Sequence, residues 1–324
     1  MPRIRYNNID NVSTDKTLKQ FRQWREERKL KRKDYSYVIP NMSPDLDYLH
    51  GNRHETSVTW VGHATFFIQY EGLNIVTDPV WAKRMAFTKR LGEPGIPITD
   101  IPPLDVILIS HSHYDHLHVA SIRKLYRADT TIVVPVGLRK KMMAKGFRRV
   151  IEMQWWETIT IRDVDISFVP TQHWTRRTPF DTNTSHWGGF VLEPHTGSRD
   201  ETRLLPPNLY FAGDSGYFPG FKDIGRRFNI HIALMPIGAY EPEWFMTSQH
   251  VNPEEALQAF LDVEAETMIP MHYGTFKLAD DTAQEALERM EAERARLGIQ
   301  EEQIRVLKYG ETFRVGPEER STEQ

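Results

Sequence analysis

Hydrophobic and polar positions change rhythm twice along this chain. Over residues 14–32, Leu18, Phe21 and Trp24 recur at three-residue spacing among Lys and Arg, which predicts a helix. Residues 34–54, with Pro40 and Pro44, read as an extended connector. From Ser57 onward the texture becomes short apolar runs: strands are predicted at 58–61, 65–70 and 73–77, with Glu71-Gly72 turning the last pair. Residues 106–109 are continuously apolar, the pattern of a strand buried on both faces. Helices are then predicted at 119–128, 138–145, 253–262 and 282–297. Strands are predicted at 131–135, 150–152, 157–161, 166–169, 187–192, 209–212, 232–235, 268–271, 304–308 and 312–315. Residues 194–207 are a polar insertion, read as a surface loop. Strand-rich halves interleaved with helices predict an α/β (α+β) fold: two mixed β-sheets packed together with helices outside, an αββα sandwich. Residues 1–56 form a basic helical extension packed on a main domain spanning 57–324.

Composition changes this picture little. Among 324 residues, 40% are apolar and 26% charged, as in a globular protein with a full core. No apolar run approaches the ~18–20 residues of a membrane span, and the first residues lack the apolar stretch of a signal peptide. A cytoplasmic location is therefore expected, peripheral on a membrane at most. Cysteine is absent, which excludes disulfides and thiolate ligands, so nitrogen and oxygen must hold any metal. The net charge of −3 hides an asymmetry: residues 3–33 carry an excess of about seven positive charges. That segment points to an anionic partner, a lipid surface or a nucleic acid, or simply to a helix packed through Phe21 and Trp24 with a solvated basic side.

Candidate chemistry concentrates in Ile109-Ser110-His111-Ser112-His113-Tyr114-Asp115-His116-Leu117. This H-x-H-x-D-H run follows a strand, so its three imidazoles and carboxylate can converge while the strand fixes their base. Three more ligand types sit where apolar strands end: His173 after Phe168-Val169, Asp214 after Phe211-Ala212-Gly213, and His272 after Pro270-Met271. Gly213 and Gly216 allow the backbone to turn around Asp214.

With these residues the chain resembles the metallo-β-lactamase superfamily, and within it the N-acyl-phosphatidylethanolamine-hydrolysing phospholipase D family. The resemblance also rests on Trp60-Val61-Gly62-His63-Ala64-Thr65, Thr77-Asp78-Pro79, Gln172-His173-Trp174 and the run from Met235 to Ala256, with Gln249-His250-Val251-Asn252-Pro253 inside it. His272-Tyr273-Gly274-Thr275-Phe276 continues the match. It implies two divalent metal ions, zinc first, with iron or manganese as alternatives. His111, His113 and His173 match the ligands of one ion, Asp115, His116 and His272 those of the other, and Asp214 the bridging carboxylate. Asp115 and His250 are the residues it assigns to catalysis, His250 lying near the phosphate without binding metal. A phospholipid or other phosphodiester is the substrate expected, attacked by a hydroxide held between the ions to give phosphatidic acid and an N-acylethanolamine. Arg176, Arg177, Tyr240 and Trp244 are the expected substrate contacts, with Trp174, Phe180, Phe245 and Met246 as further lining of an acyl channel.

Two departures from the family pattern are His118, where an acid is usual, and Ser112, where Asn is common. His118 either caps the next helix or tunes the site. The same site in a lactonase or thioesterase would attack carbonyl carbon, and in a nuclease would follow a basic segment along nucleic acid. No nucleic acid is expected here, because the aromatic residues near the site favour lipid. A non-enzymatic reading is a binding module stabilised by metal, and a homodimer is left open.

Overall fold

A computed structural model describes residues 4–85, 88–195, 197 and 205–315. The first strands are β1 (Thr56–Gly62), β2 (Thr65–Tyr70) and β3 (Leu73–Thr77), followed by a small ribbon of β4 (Arg84–Met85) and β5 (Thr88–Lys89). Then come β6 (Val106–Leu108), β7 (Thr131–Pro135), β8 (Val150–Met153), β9 (Thr158–Ile161) and β10 (Val164–Val169). The series closes with β11 (Gly189–Pro194), β12 (Leu209–Phe211), β13 (Ile232–Pro236), β14 (Thr267–Met271) and β15 (Thr312–Val315). They build two large sheets, ordered β15-β1-β2-β3-β6-β7-β8 and β14-β13-β12-β11-β10-β9. Both are mixed: antiparallel from β15 through β3 and from β9 through β12, parallel beyond.

Strand alternation sorts the core into layers. In the first sheet Phe66, Ile68, Ile75, Val106, Leu108 and Val133 join one cluster with the second sheet. Their neighbours Phe67, Val76, Ile107, Ile132 and Val134 join another cluster on the opposite face. That outer cluster is closed by α2 (Leu46–Gly51), α3 (Val119–Leu125) and α4 (Arg139–Met143), through Leu49, Ile122, Leu125 and Met142. The second sheet is covered by α5 (Gly220–Arg227), α7 (Pro253–Asp262) and α8 (Ala283–Leu297), with Phe221, Ile224, Phe260 and Met290 in the shared core. The αββα sandwich predicted from the sequence is therefore the fold.

Several local predictions need correcting. The N-terminal helix α1 is Leu18–Leu30, starting where Thr17 and Gln20 form a reciprocal capping box rather than at Thr14. The supposed extended connector contains α2, capped by Asp45 and anchored by the fully buried Leu49. The strand predicted at 304–308 is reduced to a single bridge between Ile304 and Met268. Helix α5 was not predicted. Much of the 194–207 insertion lies outside the described residues.

Helix α1 has no buried residue of its own, yet it is tied down. Phe245, in α6 (Glu243–Met246), meets Phe21 edge-on at 5.2 Å and stacks on Trp24 at 5.5 Å. Trp244 Nε1 donates to Glu27 at 2.9 Å, and Trp24 Nε1 donates to Asp280 at 3.2 Å. Part of the basic excess is neutralised here: Arg28 pairs with Asp280, Lys31 with Glu241, and Lys33 with Glu241 and Glu285. Among the described residues no helix is long and apolar enough to cross a membrane.

Candidate metal centre

The site sits where strands of both sheets run out. From the first sheet, β6 delivers the loop carrying His111, His113, Asp115 and His116. From the second, His173 follows β10, Asp214 follows β12 and His272 follows β14. Gly213, at φ +64°, makes the approach possible, since a Cβ there would lie 2.9 Å from Ser110 Cβ.

The seven side chains converge as two adjoining sets. His111 Nε2 lies 2.9 Å from His113 Nδ1, which lies 3.1 Å from His173 Nε2. His116 Nε2 lies 3.2 Å from His272 Nε2 and 3.4 Å from Asp115 Oδ2. Asp214 faces both sets: Oδ2 is 3.1 Å from His116 Nε2, 3.7 Å from His173 Nε2 and 3.9 Å from His111 Nε2, and Oδ1 is 3.1 Å from His272 Nε2. Ligands ~2.1 Å from one tetrahedral ion lie about 3.4 Å apart, so these separations fit a metal in each set.

Neighbouring groups hold these candidate ligands in place. Asp78 accepts from the Ser110 amide at 2.7 Å and faces His116 Nδ1 at 2.7 Å, turning that imidazole's Nε2 inward. His173 Nδ1 lies 2.9 Å from the Gln249 carbonyl, leaving Nε2 for the cluster. His63 Nε2 is 2.9 Å from Asp115 Oδ2. Asp78 and His63 lay within the recognised motifs, but the sequence reading gave neither a role. His118 resolves as a cap, its Nδ1 accepting from the Ser121 amide at 3.3 Å.

Burial disfavours charge on every imidazole here. It holds His111 well below the ordinary histidine value and takes His113 to about 3 and His173 to about 4. Burial opposes protonation of His116 and His272 as well, but Asp214 leads the neighbouring groups that override it. His116 rises well above its usual value and His272 to about 9. Burial likewise opposes ionisation of Asp115 and Asp214, and His116 leads the neighbours that keep both well below the carboxylate range. Neutral nitrogens on one side and carboxylates demanding positive charge on the other form a donor set suited to cations.

His250 is buried beside this cluster, its Nδ1 3.9 Å from Asp214 Oδ2 and without a hydrogen-bond partner. The cap of α7 is Asn252 rather than His250. The other expected substrate contacts fare differently. Arg177 Nη1 donates to the carbonyls of Ser112 at 2.7 Å and Leu117 at 2.9 Å, so it braces the ligand loop. Its guanidinium also lies 3.9 Å from the Tyr114 ring. Tyr240 is buried in the core with Arg289 of α8 4.7 Å over its ring, Trp244 is bound to α1, and Phe180 is largely exposed. Arg176 is exposed, 5.4 Å from the Trp174 ring. Of the residues expected to line an acyl channel, Trp174 reaches the cluster, its ring centre 4.7 Å from that of His113. A groove of about 480 Å³ also opens at the cluster, lined by Arg28, Met85, Thr88, Tyr114, Asp115, Lys277 and Leu278.

The beta-lactamase superfamily domain model matches residues 73–273, and the chain belongs to this metallo-β-lactamase superfamily of metal-dependent hydrolases. Within it, the chain is similar to the mitochondrial N-acyl-phosphatidylethanolamine-hydrolyzing phospholipase D of Saccharomyces cerevisiae, at 35% identity over 72% of this chain and 50% of the relative. The corresponding phospholipase D 1 of Caenorhabditis elegans is 37% identical over 68% of this chain and 64% of the relative. The chain thus spans between half and two thirds of the length of these relatives. A metallo hydrolase from the archaeon Ignicoccus hospitalis shares the fold, with a TM-score of 0.61 at 22% identity, covering 81% of this chain and 99% of that one.

Proposed function

We propose that the protein is a dinuclear metal phosphodiesterase that cleaves N-acyl-phosphatidylethanolamine in the manner of a phospholipase D, releasing an N-acylethanolamine and phosphatidic acid. The observation that carries the dinuclear reading is Asp214, which faces two separate ligand sets at once. The lipid reading is supported by the names of the relatives and by Met85, Tyr114 and Leu278 walling the groove that reaches Asp115. The hydrolase domain would span 57–324, with 1–56 as its extension.

Zinc is the ion taken to fill both sets, since the donors are all nitrogen and oxygen; iron or manganese accepts the same donors. When bound, such a pair polarises a phosphoryl oxygen and lowers the pKa of water toward neutrality. The chain's own residues do the rest. Asp78 and the Gln249 carbonyl fix which nitrogens of His116 and His173 face inward. Asp115 and Asp214 lower the net positive charge, so a monoanionic diester docks without a large excess of either sign. His250, kept neutral by burial, offers Nδ1 to a phosphate or departing alcohol oxygen next to Asp214.

Elemental analysis and an assay panel test this together. Purified protein should bind two metal equivalents and hydrolyse N-acyl-phosphatidylethanolamine in preference to plain phospholipids, a lactone or RNA. His250→Ala should lower turnover by about 10²-fold with both metals retained, whereas Asp115→Asn should lose metal. One metal equivalent, or preference for the lactone, would overturn the proposal.

A further inference from the structure

The groove at Asp115 does not end among apolar side chains. Arg28 and Lys277 line it and also line a second basin of about 310 Å³, whose remaining walls are Lys31, Arg32, Lys33, Tyr35 and Asp280. Five cations therefore surround a space that communicates with the candidate metal centre through two of them. Asp280, Glu241 and Glu285 pair with Arg28, Lys31 and Lys33, and Glu27 and Asp280 also act on Lys31 and Lys277 from further off. Two of the five cations, Lys277 and Arg32, are left without an ion-pair partner. Neither has a carboxylate within ion-pair distance among the described residues, and Lys277 Nζ instead lies 3.5 Å from the Tyr35 ring centre.

We propose that this basin is a second anion subsite of the active site. It would hold an oxyanion, carboxylate or phosphate, carried by the substrate in addition to the scissile diester. Resting on the phosphodiesterase reading, the proposal adds a preference that this reading does not contain. A plain N-acyl-phosphatidylethanolamine brings one negative charge, which the metal centre meets. Lys277 and Arg32, without ion pairs, then have no anion to bind unless the head group carries another. An amphiphile with a second anion satisfies both ends, with its chains along Met85, Tyr114 and Leu278. Because Arg28, Arg32 and Tyr35 belong to the N-terminal segment, that segment would form one wall of the substrate site.

The test uses full-length, metal-loaded protein and a matched pair of lipids in neutral-detergent micelles: N-acyl-phosphatidylethanolamine and N-acyl-phosphatidylserine, which differ by one carboxylate. The wild type should favour the serine lipid in kcat/KM. Lys277→Ala should cut that preference about fivefold to tenfold, the scale of a charge-assisted hydrogen bond in a half-exposed site. Arg149→Ala, outside the basin, should leave the preference intact. Titration of the metal-loaded protein with inorganic phosphate adds a readout independent of turnover, in which Lys277→Ala should weaken one binding event by a similar factor. Equal preference for the two lipids together with unchanged phosphate binding would overturn the subsite. So would a Lys277→Ala effect confined to binding of phosphatidylglycerol vesicles, which would assign the basin to a membrane surface. If neither lipid is cleaved while phosphate still binds in a Lys277-dependent way, the phospholipase reading fails and the subsite stands.

Discussion

At the scale of single residues, Asp78 shows how much of the candidate metal centre lies outside its proposed ligands. Its carboxylate takes hydrogen bonds from the Ser110 amide and hydroxyl and orients His116 through Nδ1. Asp78→Asn would place an amide against those donors and release the imidazole. Metal affinity should fall by about 10–100-fold, as for other groups that orient ligands, with the far-ultraviolet spectrum preserved. Competition against a fluorescent chelator measures the change, and an unaltered affinity would remove Asp78 from this role. The ligands themselves were legible because their spacing is local, as in H-x-H-x-D-H, or because each ends an apolar strand. Asp78 and His63 obey that second rule too, at the ends of β3 and β1, but as single residues without a repeat they carried no assigned function. A further mark is conformational: His63, Asp78 and His272 all adopt positive φ, which non-glycine residues rarely do. No pattern of side chains along the sequence displays that.

Among the elements, regular strands and well-capped helices could be read, and short or weakly patterned ones could not. Helix α7 matches its prediction because Asn252, Pro253 and Glu255 give it a capping box and a proline in the first turn. Helix α5 was invisible because Gly220 and Gly225 lower its propensity, and it persists through the buried Phe221 and Ile224. Helix α1 depends on a partner supplied from far along the chain. Phe245, only 6% exposed, fills the space between Phe21 and Trp24. Phe245→Ala should cost about 3 kcal/mol of packing, felt first by the N-terminal segment rather than by the sandwich. Trypsin should then cut after Arg22 or Arg25 up to about a hundredfold faster while the rest resists, followed by mass spectrometry under native conditions. Equal cutting of variant and wild type would show that ion pairs hold α1 instead.

For the whole molecule, strand-rich halves interleaved with helices made the sandwich legible, but the joining of its two sheets depends on contacts distant in sequence. The first sheet contributes the loop after β6; the second contributes His173, Asp214 and His272 from three different strand ends. Cations bound to these residues would cross-link the two sheets at one edge, so their removal should weaken the entire fold. Chelation would also leave the buried Asp78 and Asp214 beside the half-buried Asp115, with only protonated histidines to balance them. If free metal stands at 100 times its dissociation constant, binding stabilises the native state by about 2.7 kcal/mol. In a domain of this size that corresponds to a drop of about 4–5 °C in Tm for each ion removed by a chelator. Restoring metal should recover the loss, and Asp214→Asn should shrink the difference between the two curves. Superimposable melting curves for loaded and demonstrably stripped protein would mean that the metal acts on substrate alone and that the two sheets are held without it.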